Sequence, residues 1–254
     1  MSFTHVFISR PQKESGELAA MLAPLGLQTV VQPAFSYFPE DIAFSQKEIF
    51  AEMDTAGAGT LVVFTSPRAV AHGLPQLPDA IRFQSRIAAI GPATAAALGD
   101  AGIRVNIIPE NGYTSEALLE TLAREGTPGK AERPFAFIIS APGGRQTLFE
   151  GLGKAGWRAR LVMAYRAESA ELDKLELGKL RDAASVLSIW TSANAMNALS
   201  QRLPPATWFQ LCRGDWLVIS DRLKQLARAY GPARIHLSTG PGNKELFAAV
   251  RSLV

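Results

Sequence analysis

The residues with chemistry to offer are hydroxyls at the ends of short apolar runs. Ser9, Thr65-Ser66, Ser140, Thr191-Ser192, Ser220 and Ser238-Thr239 each follow such a run, and Gly91-Pro92 follows another. A helical pattern begins within a few residues of each. Two kinds of chemistry fit that placement. A hydroxyl there caps a helix by accepting bonds from the N–H groups of its first turn. The same helix start offers unpaired N–H groups and a partial positive charge to an anion. The residue types leave both open, and both hold together where the cap preorganises the turn that binds.

Other chemistry has no matching pattern. His5, His72 and His236 lie in unrelated contexts, none with the i+3 or i+4 His, Cys or carboxylate neighbour of a strong metal signature. Cys212, in FQLCRGDW, is the one cysteine and has no histidine near it in sequence. It reads as a buried, inert thiol, and no disulfide or multi-cysteine metal site can form within the chain. There is no GxSxG, GxxxxGK[ST] or GxGxxG. A phosphorelay receiver would need an Asp at the end of the Leu61–Phe64 run, where Thr65 stands. No metal site is expected.

The loops need elements to hold them. Strand candidates are His5–Ser9, Gln28–Gln32, Leu61–Phe64, Arg86–Ile90, Arg104–Ile108, Phe135–Ile139, Arg160–Met163, Val186–Trp190, Trp216–Ile219 and Arg234–Leu237. Helical patterns alternate with them: Glu17–Leu25, Ala69–Leu74, Thr94–Ala101, Ser115–Arg124, Gln146–Ala155, Ala193–Gln201, Arg222–Tyr230 and Lys244–Leu253. Near-continuous apolar strands separated by helices predict a parallel sheet covered on both faces. In that class, ligands bind at the carboxyl edge of the sheet, where the hydroxyl loops gather.

The pattern also repeats. LVVFTSPRAVAHGL and VLSIWTSANAMNAL both run from strand through Thr-Ser into helix, with Thr65 and Thr191 126 residues apart. Ile90 and Ile219 are 129 apart in matching units, and Gly26 and Gly156 are 130 apart. SEALLETL from Ser115 answers NKELFAAV from Asn243 at an offset of 128. Four units recurring in the same order predict a duplicated α/β domain. The duplication alone would cut the chain near residue 128, in TPGKAERP.

Length and charge agree with this picture. The 254 residues suit two domains, and 47% apolar with 19% charged residues is a globular composition. A net charge of +3 over that length is no nucleic-acid footprint, and it leaves room for an acidic small molecule. No run approaches 18 uninterrupted apolar residues, so no membrane span is expected. MSFTHVFISRP carries no signal-peptide pattern, which points to the cytoplasm.

Taken in order, these stretches resemble the uroporphyrinogen-III synthase family. The likeness runs through ISRP at Ile8–Pro11, VFTSPRAV at Val63–Val70, AAIGPATAAALGDAG at Ala88–Gly102 and SEALLETL at Ser115–Leu122. It continues through GGRQTLFEGLGKAGW at Gly143–Trp157, VMAYR at Val162–Arg166, WTSANAMNAL at Trp190–Leu199 and SDRLKQLA at Ser220–Ala227.

The resemblance implies an α/β fold of two similar doubly wound parallel-sheet domains with interleaved chain segments. One lobe would take 1–34 with 172–254 and the other 39–162, joined by linkers 35–38 and 163–171. It implies cyclisation of hydroxymethylbilane to uroporphyrinogen III in tetrapyrrole biosynthesis. Water leaves to give an azafulvene, and ring D inverts through a spiro intermediate. The substrate, a linear tetrapyrrole with eight carboxylates, would be gripped by Arg10, Thr65, Ser66, Gly91, Thr94, Gly144, Arg145, Thr191, Ser192 and Ser220. Arg10 and Arg145, each at a helix start, can pair a carboxylate bidentately. Tyr165, in VMAYR, is the implied proton donor to the departing hydroxyl. The implied protein is a cofactor-independent monomer that meets hydroxymethylbilane synthase only transiently, and it needs neither nucleic acid nor membrane. Two other expectations fit the same architecture: a two-lobed small-anion receptor, and a non-catalytic ligand sensor.

Overall fold

A computed structural model describes residues 3–57, 59–126 and 133–254. In chain order its strands are β1 (His5–Ile8), β2 (Gln28–Val31), β3 (Phe35–Pro39), β4 (Leu61–Phe64), β5 (Arg86–Ala89) and β6 (Phe135–Ser140). They continue with β7 (Arg158–Met163), β8 (Tyr165–Ser169), β9 (Val186–Trp190), β10 (Asp215–Val218) and β11 (Arg234–Leu237). One sheet has the order β11-β10-β9-β1-β2 and another β5-β4-β6-β7, while β3 and β8 pair as a two-stranded ribbon. Every pairing described within the two larger sheets is parallel.

The inner strands HVFI, LVVF, FAFIIS, VLSIW and DWLV are buried along their whole length. That is why they read as unbroken apolar runs: a parallel strand covered on both faces has no polar side to alternate with. Alternate residues feed opposite faces. Val62, Phe64, Phe137 and Ile139 enter one core, and Leu61, Val63, Ala136 and Ile138 the other. In the five-stranded sheet Phe7 and Trp190 face one way, Val6, Ile8 and Ile189 the other. Each fully buried large apolar side chain contributes about 1.5–3 kcal/mol relative to exposure.

The chain divides into two compact units, Met1–Ser36 with Glu168–Val254, and Tyr37–Ala167. The cut near residue 128 suggested by the duplication alone falls on residues outside those described. The ribbon β3–β8 is where the chain passes from one unit to the other and back. Two buried glutamines root it. Gln32 donates to the Pro33 and Glu171 carbonyls and accepts from the Asp173 N–H. In the other unit Gln46 donates to the Met163 carbonyl at 2.8 Å and accepts from its N–H at 2.9 Å. A carboxamide carries a donor and an acceptor as a peptide unit does, so each glutamine stands in for a missing strand partner.

One expected strand is not formed. Arg104–Ile108 makes only an isolated bridge, Ile107 to Ala88. Asn106 accounts for the interruption: its side-chain oxygen accepts from the Ile87 N–H at 2.8 Å, and Pro109, which has no N–H to donate, follows closely. The matching stretch of the other repeat, Arg234–Leu237, pairs in full with β10.

Candidate active site

In both sheets the strands stay parallel while the order in which the chain adds them reverses. In the four-stranded sheet the chain proceeds outward from β4 to β5 and from β6 to β7, so β4 and β6 flank the switch point. In the five-stranded sheet the flanking strands are β1 and β9. Crevices at the carboxyl ends of such strand pairs are where open α/β sheets bind ligands. Four of the hydroxyl loops sit there: Thr65-Ser66 after β4, Ser140 ending β6, Ser9 after β1 and Thr191-Ser192 after β9.

In the four-stranded unit, Thr65 is buried and donates to the Ile139 carbonyl at 2.9 Å, tying β4 to β6 at the switch point. Ser66 caps the helix Pro67–Gly73, its oxygen accepting from the Ala69 N–H at 3.1 Å. Tyr165, the first residue of β8, is 7% exposed, and its hydroxyl lies 3.4 Å from the Ser66 oxygen. Three other side chains complete this cluster. The His72 ring centre is 5.5 Å from that of Tyr165, and Tyr37 meets Tyr165 edge-on at 6.0 Å. The Arg68 guanidinium lies 4.0 Å over the Tyr37 ring. Burial, and then the Arg68 charge, hold the His72 pKa below its ordinary value, which favours the neutral imidazole.

Gly91 starts the helix Pro92–Asp100 with an extended backbone, and a Cβ there would meet Tyr113 at 3.1 Å. Thr94 is buried in the first turn of that helix. Gly144 lies in the loop after β6, where a Cβ would stand 3.2 Å from the Ala141 carbonyl oxygen. Arg145 precedes the helix Gln146–Lys154 in the left-handed conformation, φ +66°. For an L-residue that conformation costs about 1–2 kcal/mol. Its charge reaches the Glu116 carboxyl. That group is held below the usual range mainly by its own N–H and the Thr114 hydroxyl, with Arg145 adding to both.

In the five-stranded unit, Ser9 donates to the Ile189 carbonyl at 3.0 Å, tying β1 to β9. Arg10 bonds the Asn243 side chain through Nη1. Thr191 and Ser192 are half-buried, and Ser192 caps the helix Ala193–Arg202 by accepting from the Ala195 N–H at 3.4 Å. Ser220 caps the helix Asp221–Arg228 at the end of β10, accepting from the Leu223 N–H at 3.3 Å. Three of the Ser sites are thus helix caps in fact, and all three leave the first turn of a helix at a sheet's carboxyl edge.

Of the expected site residues, Ser66 and Tyr165 are brought together across 99 positions of sequence. Arg68 and Tyr37 were not singled out from the sequence, and His72 was read there only as a histidine without a metal-ligand neighbour. One signal existed for Tyr37: it precedes Tyr165 by 128 residues, the offset of the repeat. The remaining histidines are tied elsewhere, His236 to Asp215 at 2.8 Å and His5 to Thr4 at 2.9 Å. Cys212 is half-buried, and burial pushes its thiol pKa up. Among the described residues no three His, Cys, Asp or Glu side chains gather as a metal would need, and no helix is long and apolar enough to cross a membrane.

The model of the uroporphyrinogen-III synthase HemD family matches residues 16–248. The chain belongs to the uroporphyrinogen-III synthase family. It is a cyclising lyase of tetrapyrrole biosynthesis. It is 26% identical over 253 residues to the uroporphyrinogen-III synthase of Escherichia coli K12, covering 97% of this chain and 99% of that one. The Salmonella typhimurium enzyme is 29% identical over 256 residues, again covering 97% and 99%. In fold, the chain is similar to uroporphyrinogen III synthase of Thermus thermophilus, in a triple-mutant form, with TM-score 0.62, 18% identity and 98% of each chain covered. It is equally similar to uroporphyrinogen-III synthetase of Helicobacter pylori 26695, with TM-score 0.63, 14% identity and 100% of each chain covered. The two parallel α/β sheets are the fold of this family.

Proposed function

We propose that the protein cyclises hydroxymethylbilane to uroporphyrinogen III with inversion of ring D, and that Tyr165 is its general acid. The observation that carries the reading is the Tyr165 hydroxyl, 3.4 Å from the Ser66 oxygen at the end of a switch-point strand. Ser66 already accepts from the Ala69 N–H, so its own proton is free to turn toward the tyrosine oxygen. With Ser66 as donor, the phenolic proton of Tyr165 is left for a substrate oxygen.

In the first step the C–O bond of the hydroxymethyl group breaks. Its electron pair leaves with oxygen, which takes the Tyr165 proton and departs as water. The pyrrole nitrogen supplies the electrons that form the azafulvene. Ring D then bonds through its substituted carbon to give the spiro intermediate. The bond from that carbon to the methylene it shares with ring C then breaks, the freed methylene bonds the unsubstituted α carbon of ring D to close the macrocycle, and the proton lost there as aromaticity returns balances the one Tyr165 gave. A tyrosine is a weak acid near neutral pH, with an ordinary pKa of about 10. It suffices because the pyrrole already expels the hydroxyl and the donor is needed only as that oxygen becomes basic.

The carboxylates are held in this reading by helix starts and by arginine. Ser66, Ser192 and Ser220 preorganise three of those starts, while Thr65, Gly91, Thr94 and Thr191 shape the turns around them. Arg10 and Arg145 supply full charges. The left-handed backbone at Arg145 supports its role, since strain at a non-glycine residue persists where the surroundings hold it and often marks a ligand site. We read the protein as a cytoplasmic monomer that needs no cofactor and receives its substrate from hydroxymethylbilane synthase.

The test is product analysis. Purified protein given enzymatically generated hydroxymethylbilane should yield the type III isomer, with the type I isomer confined to the uncatalysed background. Type I alone, at the rate seen without protein, would establish a receptor or sensor in place of an enzyme.

A further inference from the structure

The five-stranded unit contains a cavity of about 900 Å³ that none of the site residues lines. It opens between the end of the helix Ala193–Arg202, the helix Pro205–Arg213 and the turn leading into β11. Ala233 and Gly214, joined by a 3.0 Å main-chain bond, each lie one residue before a strand. The turn therefore belongs to the amino edge of the sheet, the edge opposite Ser9, Thr191-Ser192 and Ser220.

We propose that this cavity is a second binding site, for a flat aromatic acid. Its size falls in the range of small-molecule pockets, about 300–1,000 Å³. Its walls are rings: Trp208, Phe209 and Tyr230, with Leu203 beside them. Trp208 does not move freely. It packs edge-on against Tyr230 at 5.3 Å, Trp216 at 5.7 Å and Trp190 at 5.9 Å, so one wall is preformed. Phe209, by contrast, is 63% exposed, a large apolar ring left at the mouth. Preformed ring walls favour a flat aromatic guest, which stacks or meets them edge-on.

The charge of the wall selects an acid. Arg202 and Arg213 line the cavity, and no carboxylate does among its described residues. The two arginines are not equivalent. Arg202 commits donors to the Ala34 and Ala170 carbonyls, at 3.5 and 2.6 Å. Arg213 is exposed and lies over the Phe209 ring at 5.9 Å, at the mouth where an acid group would project. Arg213 is thus the partner of the acid, and Arg202 adds a second positive charge deeper in the wall.

The probes are 2-naphthoate and its neutral counterpart 2-naphthamide, titrated calorimetrically into the full chain. Saturable one-to-one binding of 2-naphthoate is expected, roughly tenfold tighter than 2-naphthamide, the effect of one charge-assisted bond. Arg213→Gln should bring the two probes to equal affinity, while Arg10→Gln at the opposite edge leaves the difference intact. In ¹⁵N spectra the indole N–H signal absent from Trp208→Phe should move most on titration. No saturable binding, equal affinity for the two probes in the wild type, or a preference that survives Arg213→Gln would each overturn the proposal. So would titration shifts confined to residues of the carboxyl-edge loops. None of these readouts depends on turnover, so the proposal and the cyclisation reading fail separately.

Discussion

The two carboxyl edges come from one ancestral pattern and use it differently. In each, a hydroxyl just past the end of one central strand donates to the penultimate carbonyl of the other, but the donor is exchanged. Thr65 at β4 ties to Ile139 of β6, whereas Ser9 at β1 ties to Ile189 of β9. By the repeat, Thr65 corresponds to Thr191, and Ser9 lies at the position of Ser140. The exchange buries Thr65 and leaves its counterpart Thr191 half-exposed at the sheet edge. The four-stranded unit then adds Tyr165 with its ring partners and the left-handed Arg145. The five-stranded unit places its aromatic residues under a helix, around Trp190, Trp208 and Trp216. Duplication has kept the strand-to-helix turn in both units, while the proton chemistry we propose falls to one copy.

The largest expected effect tests that asymmetry. Tyr165→Phe keeps the ring contacts and removes the proton. Turnover should fall roughly 10–100-fold, within the lower part of the range for general acids, with type III still favoured in the product released. Tyr230→Phe, in the other unit, should leave turnover within about twofold of wild type under the same proton-donor logic. A full turnover number in Tyr165→Phe would leave positioning of the substrate chain as the whole of catalysis.

A smaller effect is expected at the charged contacts. Glycine suits the +66° φ at residue 145 without strain, so Arg145→Gly removes the guanidinium and keeps the loop. One charge-assisted bond is worth roughly 1.5–3 kcal/mol, but eight carboxylates share many donors. The Michaelis constant should rise by no more than about tenfold, with the isomer ratio unchanged. Abolished turnover in a folded Arg145→Gly protein would replace the shared grip with a single anchor.

The smallest effect separates the two threonines. Thr65→Val removes a buried hydroxyl and leaves the Ile139 carbonyl without that donor, which should cost about 1 kcal/mol of stability in urea unfolding. Thr191→Val, half-exposed, should cost less than half of that and instead weaken substrate binding. Equal stability losses would show that the exchange of donors has no energetic consequence.

Much of this was legible along the chain. Leu61–Phe64 and Val186–Trp190 form over the expected residues, because a strand buried on both faces needs a continuous apolar run and little else selects its ends. Ser66, Ser192 and Ser220 were recognisable as helix starts, since a cap acts on an N–H only three residues away. Some short helices were not. Lys47–Thr55, Asp79–Gln84 and Pro205–Arg213 went unmarked, as two turns carry too little periodicity to stand out. Arg104–Ile108 failed as a strand because Asn106 turns its side chain onto the neighbouring main chain, a competition that β-propensity does not register.

The sequence by itself determined most of the strands, which turns start a helix, and that the whole is a duplicated α/β chain. Those properties rest on interactions reaching a few residues along the backbone, where residue type and spacing suffice. Only the tertiary structure decided that Tyr165 stands against Ser66 and His72, and that Thr65 rather than Thr191 gives its proton to the neighbouring strand. It also decided that Arg213 faces a ring-lined cavity. These follow from strand order and from which faces of distant segments meet. Local periodicity says that a face is apolar, but it does not name the segment that will cover it.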